Sequence, residues 1–311
     1  MDPTTLLVTV TGRDRPGVTA VIFAALAAHD VDVRDVVQSL NGERAQLAIL
    51  VDLRGDPTAL RHSVTSTAKA FGVESHVITA GRDARVVHSV RRPRSRPGRS
   101  RAVAVGTKLR AGALGDIARR VADVGGNIES MWQSSDDAFT GVEMSLDGDS
   151  SKLRPALIAS AGETGLDIAV GPPGPRTRER RLVVLDADAM LAGAGSSRVS
   201  AQVATFADAA RHSGCHVAAV ARKRPSGSAD LGLDAFVAMD DVDDALRGLA
   251  GELDVPASRI VAVGGAQDSA RLLASAGTAI AVDTRVAQQA ATDSSGRTGF
   301  LASVLYLLRR I

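Results

Sequence analysis

Cysteine is almost missing. Cys215 stands alone, so no disulfide forms within the chain, and a reducing cytosol, hence a cytoplasmic location, is the expectation. Aromatics make up only 3% of the residues. A core must then be built from Ala, Val, Leu and Ile, which suits small α/β layers. An excess of one charge is lacking too: 37 Lys and Arg against 35 Asp and Glu leave a formal net charge of +2, which argues against a dedicated nucleic-acid binder. No apolar run reaches the about 18 residues of a membrane helix, and no signal-peptide pattern opens the chain. Neither a membrane span nor a secretory leader is expected.

Against these absences stand 311 residues, 45% of them hydrophobic, enough for two or three cores. The first eighty read as strand (residues 5–10), loop (12–17), helix (18–29), two strands (31–40 and 46–53) around a turn at Asn41-Gly42, helix (57–71) and strand (73–79). This βαββαβ order is a ferredoxin-like unit. Residues 82–101 then hold eight arginines, with Pro93 and Pro97, and read as a solvated tether or a contact for an acidic partner. The same order repeats: strand 102–105, helix 113–124, strands 127–133 and 140–145, helix 151–164, strand 166–170. A second linker covers 172–180. Beyond it, strands at 181–185, 216–221, 235–238, 260–263 and 278–282 alternate with helices at 203–212, 241–253 and 267–275. That alternation implies a doubly wound parallel sheet. The expected domains are 1–81, 101–171 and 181–311, joined by linkers 82–100 and 172–180.

Four stretches carry a family resemblance. Gly12-Arg-Asp-Arg-Pro-Gly17-Val-Thr, followed by a helix and Val31-Asp-Val, resembles an ACT domain. The stretch from Gly115 through Gly126-Asn127-Ile-Glu resembles another. Arg180-Arg-Leu-Val-Val-Leu-Asp186-Ala-Asp188-Ala-Met190 is similar to the Asp-x-Asp-x-Thr motif of haloacid-dehalogenase phosphatases. Val263-Gly264-Gly265-Ala266-Gln267-Asp268 is similar to their final Gly-Asp-Gly-x-Asn-Asp motif. In this order they resemble the phosphoserine phosphatase family: two ACT domains, then a Rossmannoid haloacid-dehalogenase-like domain. The stretch between Met190 and His216 is too short for a helical cap, so that domain is expected to lack one.

The resemblance implies that Asp186 is the nucleophile, attacking phosphorus, and Asp188 the acid/base. If both extend a strand, residues i and i+2 face one side and reach one phosphate. It also implies a Mg²⁺ ion shielding the anionic nucleophile from the anionic substrate, here with Asp186, Asp188 and Asp268 as its candidate ligands. Several family groups are missing: Gly264 replaces the first aspartate of the final motif, Met190 the threonine of the first. Residues 216–221 hold no hydroxyl for phosphate, and Val242 stands where a lysine is expected. Each such group is worth about 10²–10³ in rate. Asp186 and Asp188 are thus either vestigial or the core of a weakened phosphatase.

In the ACT half, the resemblance implies a small, serine-like amino acid bound between modules. Asp14 and Gly17 in the first loop, Gly106 or Gly112 in the second, and Asp32 and Asn127 at the following strands are the candidate ligand-binding residues. Glycine admits a close approach of backbone N–H groups to a carboxylate, and Asn127 can bond both carboxylate and amine. The competing reading is a pair used only for assembly. A homodimer, and association with an active paralogue, are the expected partnerships.

Overall fold

A computed structural model describes residues 3–86, 99–135, 138–172, 180–191, 197–222, 231–239, 242–283 and 300–311. Most of the arginine-rich and proline-rich linkers lies outside the described residues. The chain divides into two compact units, Met1–Ser160 and Ala161–Ile311.

The first unit opens with β1 (Thr4–Arg13), α1 (Val18–Ala27), β2 (Val31–Asn41), β3 (Arg44–Leu53), α2 (Pro57–Ala70) and β4 (Glu74–Thr79). The β1 pattern shows why it is a strand. Leu6, Val8 and Val10 are buried while Leu7, Thr9 and Thr11 are half-buried, the period of two of a sheet with one covered face. α2 starts where Asp56 accepts a hydrogen bond from Thr58 N (2.8 Å) and Pro57 supplies a preset φ. It buries Leu60, Val64 and Ala68, four residues apart on one stripe. Each leucine or valine so buried contributes about 2 kcal/mol. The strands pair antiparallel in the order β4-β1-β3-β2, the ferredoxin-like arrangement. Asn41 pairs with Arg44, so Gly42 and Glu43 form the hairpin turn, one residue later than the expected Asn41-Gly42. Past β4, Arg34 donates to Arg82 O (2.7 Å) and Asp35 accepts from Val86 N (3.0 Å), which holds the start of the arginine-rich segment on β2.

The second module repeats this with β5 (Ser100–Gly106), β6 (Leu109–Arg110), α3 (Ala111–Asp123), β7 (Asn127–Ser135), β8 (Thr140–Asp147) and α4 (Ser150–Thr164). β5 pairs with β8 and β8 with β7, all antiparallel. Arg101 forms an ion pair with the fully buried Glu143 on the neighbouring strand. The modules join edge to edge through β2 and β7, with Val37 opposite Trp132 and Gln38 opposite Met131, and α1 packs on α3.

The second unit contains β9 (Asp167–Gly171), β10 (Arg181–Asp186), α5 (Ala187–Leu191), α6 (Ser197–His212), β11 (Cys215–Ala221) and β12 (Ala235–Ala238). They are followed by α7 (Val242–Glu252), β13 (Ile260–Gly265), α8 (Ala270–Ser275), β14 (Thr278–Val282) and α9 (Phe300–Leu308). Five strands run parallel in the order β12-β11-β10-β13-β14, with connecting helices. In chain order this is 3-2-1-4-5, a doubly wound sheet whose switch point lies between β10 and β13. β9, the strand expected as the last of the second ferredoxin-like module, also pairs antiparallel with β14. Asp167 on β9 accepts from Asp283 N (2.9 Å) and from Ser303 on α9. Arg181 donates to Leu308 O (2.9 Å) and Ile311 O (2.7 Å), satisfying carbonyls at the end of α9.

Candidate functional site

Two places gather chemistry: the seam between the repeated modules, and the crevice at the carboxyl ends of β10 and β13.

At the seam, β2 and β7 each carry a bulge, at Arg34 and at Glu129. Near each bulge a glutamine from the opposite module reaches across. Gln38 donates from Nε2 to Ile128 O (2.6 Å) and accepts from Thr19 Oγ1 (2.9 Å), all buried. Gln133 donates from Nε2 to Arg34 O (2.6 Å). The two glutamines stand equally far along their strands from Asp32 and Asn127. A bulge disturbs the ladder, and an amide that satisfies its carbonyl restores the accounting.

Beside this clasp, Asn127 Nδ2 donates to Asp14 Oδ2 (2.6 Å), so these expected site residues meet across the seam. Gly17 follows at the N-cap of α1 with φ 93, a left-handed conformation that favours glycine, and no side chain caps the helix. Asp32 lies at the corresponding place on the other side. Its carboxylate accepts from Arg54 (3.0 Å), and its backbone pairs with Arg110 of β6. Gly106 is the last residue of β5, opposite Thr140. The residue in the position of Gly17 is Arg110, with an extended backbone.

In the second unit, Asp186 ends β10, 1% exposed, at the switch point. The chain turns into α5 at once, so Asp188 sits in the first turn of a helix and not on a strand extension. The expected i, i+2 alternation does not apply. Asp186 accepts from Ala189 N (3.0 Å), capping that helix. Asp188 accepts from Arg222 N (2.9 Å) and Arg222 Nε (3.2 Å), just past β11. Next to Asp186, on β13, is Gly264. A Cβ at this position collides with the Ser269 side chain and lies 3.3 Å from Asp186 Cβ. Ser269 Oγ is buried and has no hydrogen-bond partner among the described residues. Asp268 is exposed, Met190 is in the core, and Val242 is buried at the head of α7. Cys215 is buried, and desolvation pushes its thiol up, as fits a core residue. Among the described residues, no three His, Cys, Asp or Glu side chains gather as a metal site requires.

Residues 4–77 match the ACT domain family, and residues 100–171 match an ACT domain again. A phosphoserine phosphatase of Streptomyces coelicolor is 38% identical over 196 residues, 61% of this chain and 45% of that protein. Phosphoserine phosphatase SerB2 of Mycobacterium tuberculosis is 32% identical over 255 residues, 78% of this chain and 60% of that one.

The chain carries two ACT domains and is a relative of phosphoserine phosphatases.

It spans about half the length of these curated relatives. The crystal structure of a probable phosphoserine phosphatase from Vibrio cholerae shares 18% identity at a TM-score of 0.32, covering 57% of this chain and 76% of that one. The seam with Asp14 and Asn127 is thus an ACT–ACT interface within one chain, and the crevice at Asp186 lies at the switch point of a doubly wound parallel sheet. Among the described residues, those at the crevice do not fit the Mg²⁺ that such phosphatases imply. Gly264 offers no ligand, Ser269 fills the space where one would begin, and Asp188 is tied to Arg222. Among the described residues, no helix is long and apolar enough to cross a membrane.

The residues missed by sequence reasoning are Gln38, Gln133, Ser269 and Arg222. The glutamines had a signal, the same offset in both repeats. Ser269 had none, because its role depends on a neighbour that lacks a side chain.

Proposed function

We propose that this chain is a phosphoserine-phosphatase-like regulatory protein, catalytically impaired, that binds a serine-like amino acid at its ACT–ACT seam. The observation that carries the reading is Ser269 packed against Gly264 beside Asp186. In a metal-assisted phosphatase the nucleophile needs a cation and a polar group aimed at the phosphate. Here the neighbouring strand end supplies a filled space. Losing even two such groups at about 10²–10³ each leaves little turnover. The expected lack of a cap, which would admit water to the crevice, works in the same direction.

The seam supports the sensing half. Asp14 offers a carboxylate to an ammonium group, and Asn127 a carboxamide to either end of an amino acid. The uncapped first turn of α1 carries N–H groups suited to a carboxylate. Such a protein acts by association, as a homodimer or with an active paralogue, in the cytoplasm.

One observation favours the second reading, an active Mg²⁺-dependent phosphoserine phosphatase. Asp186 keeps the nucleophile's place at the switch point, with the Arg222 cation beside Asp188. An assay of L-phosphoserine hydrolysis with Mg²⁺ separates the two. The proposal expects a rate indistinguishable from Asp186→Asn. Turnover that Asp186→Asn abolishes establishes the enzyme.

A further inference from the structure

The two modules present quasi-equivalent loops, Asp14–Gly17 before α1 and Thr107–Arg110 before α3, each facing the start of the other module's seam strand, β7 and β2. They are closed differently. In the first, contact with the opposite strand runs through side chains, Asn127 to Asp14. Pro16 has no N–H to give a ladder, and Gly17 turns the backbone to φ 93 before the helix. In the second loop there is no proline, and Arg110 is extended at φ −94, ψ 143. Leu109 and Arg110 therefore form β6, zipped antiparallel onto Val33 and Asp32 of β2. Leu109 is 2% exposed, and the Asp32 carboxylate is held by Arg54.

We infer that the second seam site is sealed by its own backbone, and that the protein binds one amino acid per chain, at Asp14, Gly17 and Asn127. This rests on the sensing role proposed above. A ligand's carboxylate and ammonium need main-chain groups that the β6–β2 ladder has already used. Opening that ladder means leaving paired backbone groups unmet, or rehydrating them, and exposing Leu109. The first site asks only for a ligand to settle beside an existing carboxylate–carboxamide pair.

Isothermal titration of the full chain with L-serine, glycine and L-alanine tests this. The expected result is a stoichiometry of one per chain, with affinity lowered about 10- to 100-fold by Asn127→Ala at unchanged melting temperature. If Asn127→Ala does not fold, Asp14→Ala gives the same readout, and the wild-type stoichiometry stands without either. Two sites per chain, or a single site that survives both substitutions, overturns the inference while sensing stands. No heat with any of the three amino acids overturns the sensing role itself.

Discussion

Asp167 is a carboxyl group that folding places in the wrong medium. Burial, its main cause, raises its pKa from 3.8 to about 6, with a further push from Asp283; hydrogen bonds from Ser303 and Asp283 N act the other way. A raised folded-state pKa means that folding favours the protonated acid. This contribution is full below about 3.8 and is lost as pH rises through about 6. Asp167→Asn keeps an acceptor for Asp283 N and removes the charge. It is expected to stabilise the protein at pH 7, by up to about 3 kcal/mol, and to flatten the fall in melting temperature between pH 4 and 7. An unchanged pH profile refutes this. Gly264 is the opposite case, a residue defined by what its neighbour occupies. Gly264→Asp forces a side chain into Ser269 and a second carboxylate beside Asp186, at a cost of about 3 kcal/mol or more. Adding Ser269→Gly is expected to recover much of that loss in denaturant unfolding. A single variant as stable as wild type contradicts the packing described.

Elements show where the seam draws its strength. Gln38→Leu leaves Ile128 O and Thr19 Oγ1 without their buried partner, and is expected to cost about 1–3 kcal/mol in chemical denaturation. Gln133→Leu, whose bond is half-buried, should cost less. At this scale much of the fold was legible beforehand. The alternation in residues 5–10, the Asp56-Pro57 helix start and the repeated βαββα order all rest on local chemistry, and the structure agrees within a few residues. The parallel strands at 181–186 and 260–265 were legible for the same reason. What could not be read depends on distant partners. β6 exists because β2 lies opposite Leu109 and Arg110. α5 begins at Ala187 because Asp186 caps it, which moves Asp188 off the strand. The pairing of β9 with β14 joins segments far apart in the chain. Of the site, the meeting of Asp14 with Asn127 was foreshadowed by their loop and strand-start positions. The engagement of Asp32 by Arg54 was not, since no local pattern announces that contact.

For the whole molecule, ligand linkage gives the broadest test. An amino acid that binds only the folded seam stabilises it by RT ln(1 + [L]/Kd), about 2.7 kcal/mol at a hundredfold excess over Kd. Calorimetry is expected to show L-serine or a close analogue raising a transition that Asp14→Ala no longer shifts. Mg²⁺ is expected to leave the transitions of the C-terminal unit in place. A saturable rise with Mg²⁺ that Asp186→Asn removes overturns the fit argued for the crevice.

The strand Leu109–Arg110 has one more consequence. In an assembly of two identical chains, any change that shut one recess would shut its mate, because both are written by one stretch of gene. Here the two halves are spelled out separately. One copy can become a rivet while the other stays a receptor, and selection can tune the hold of the pair without touching what it senses.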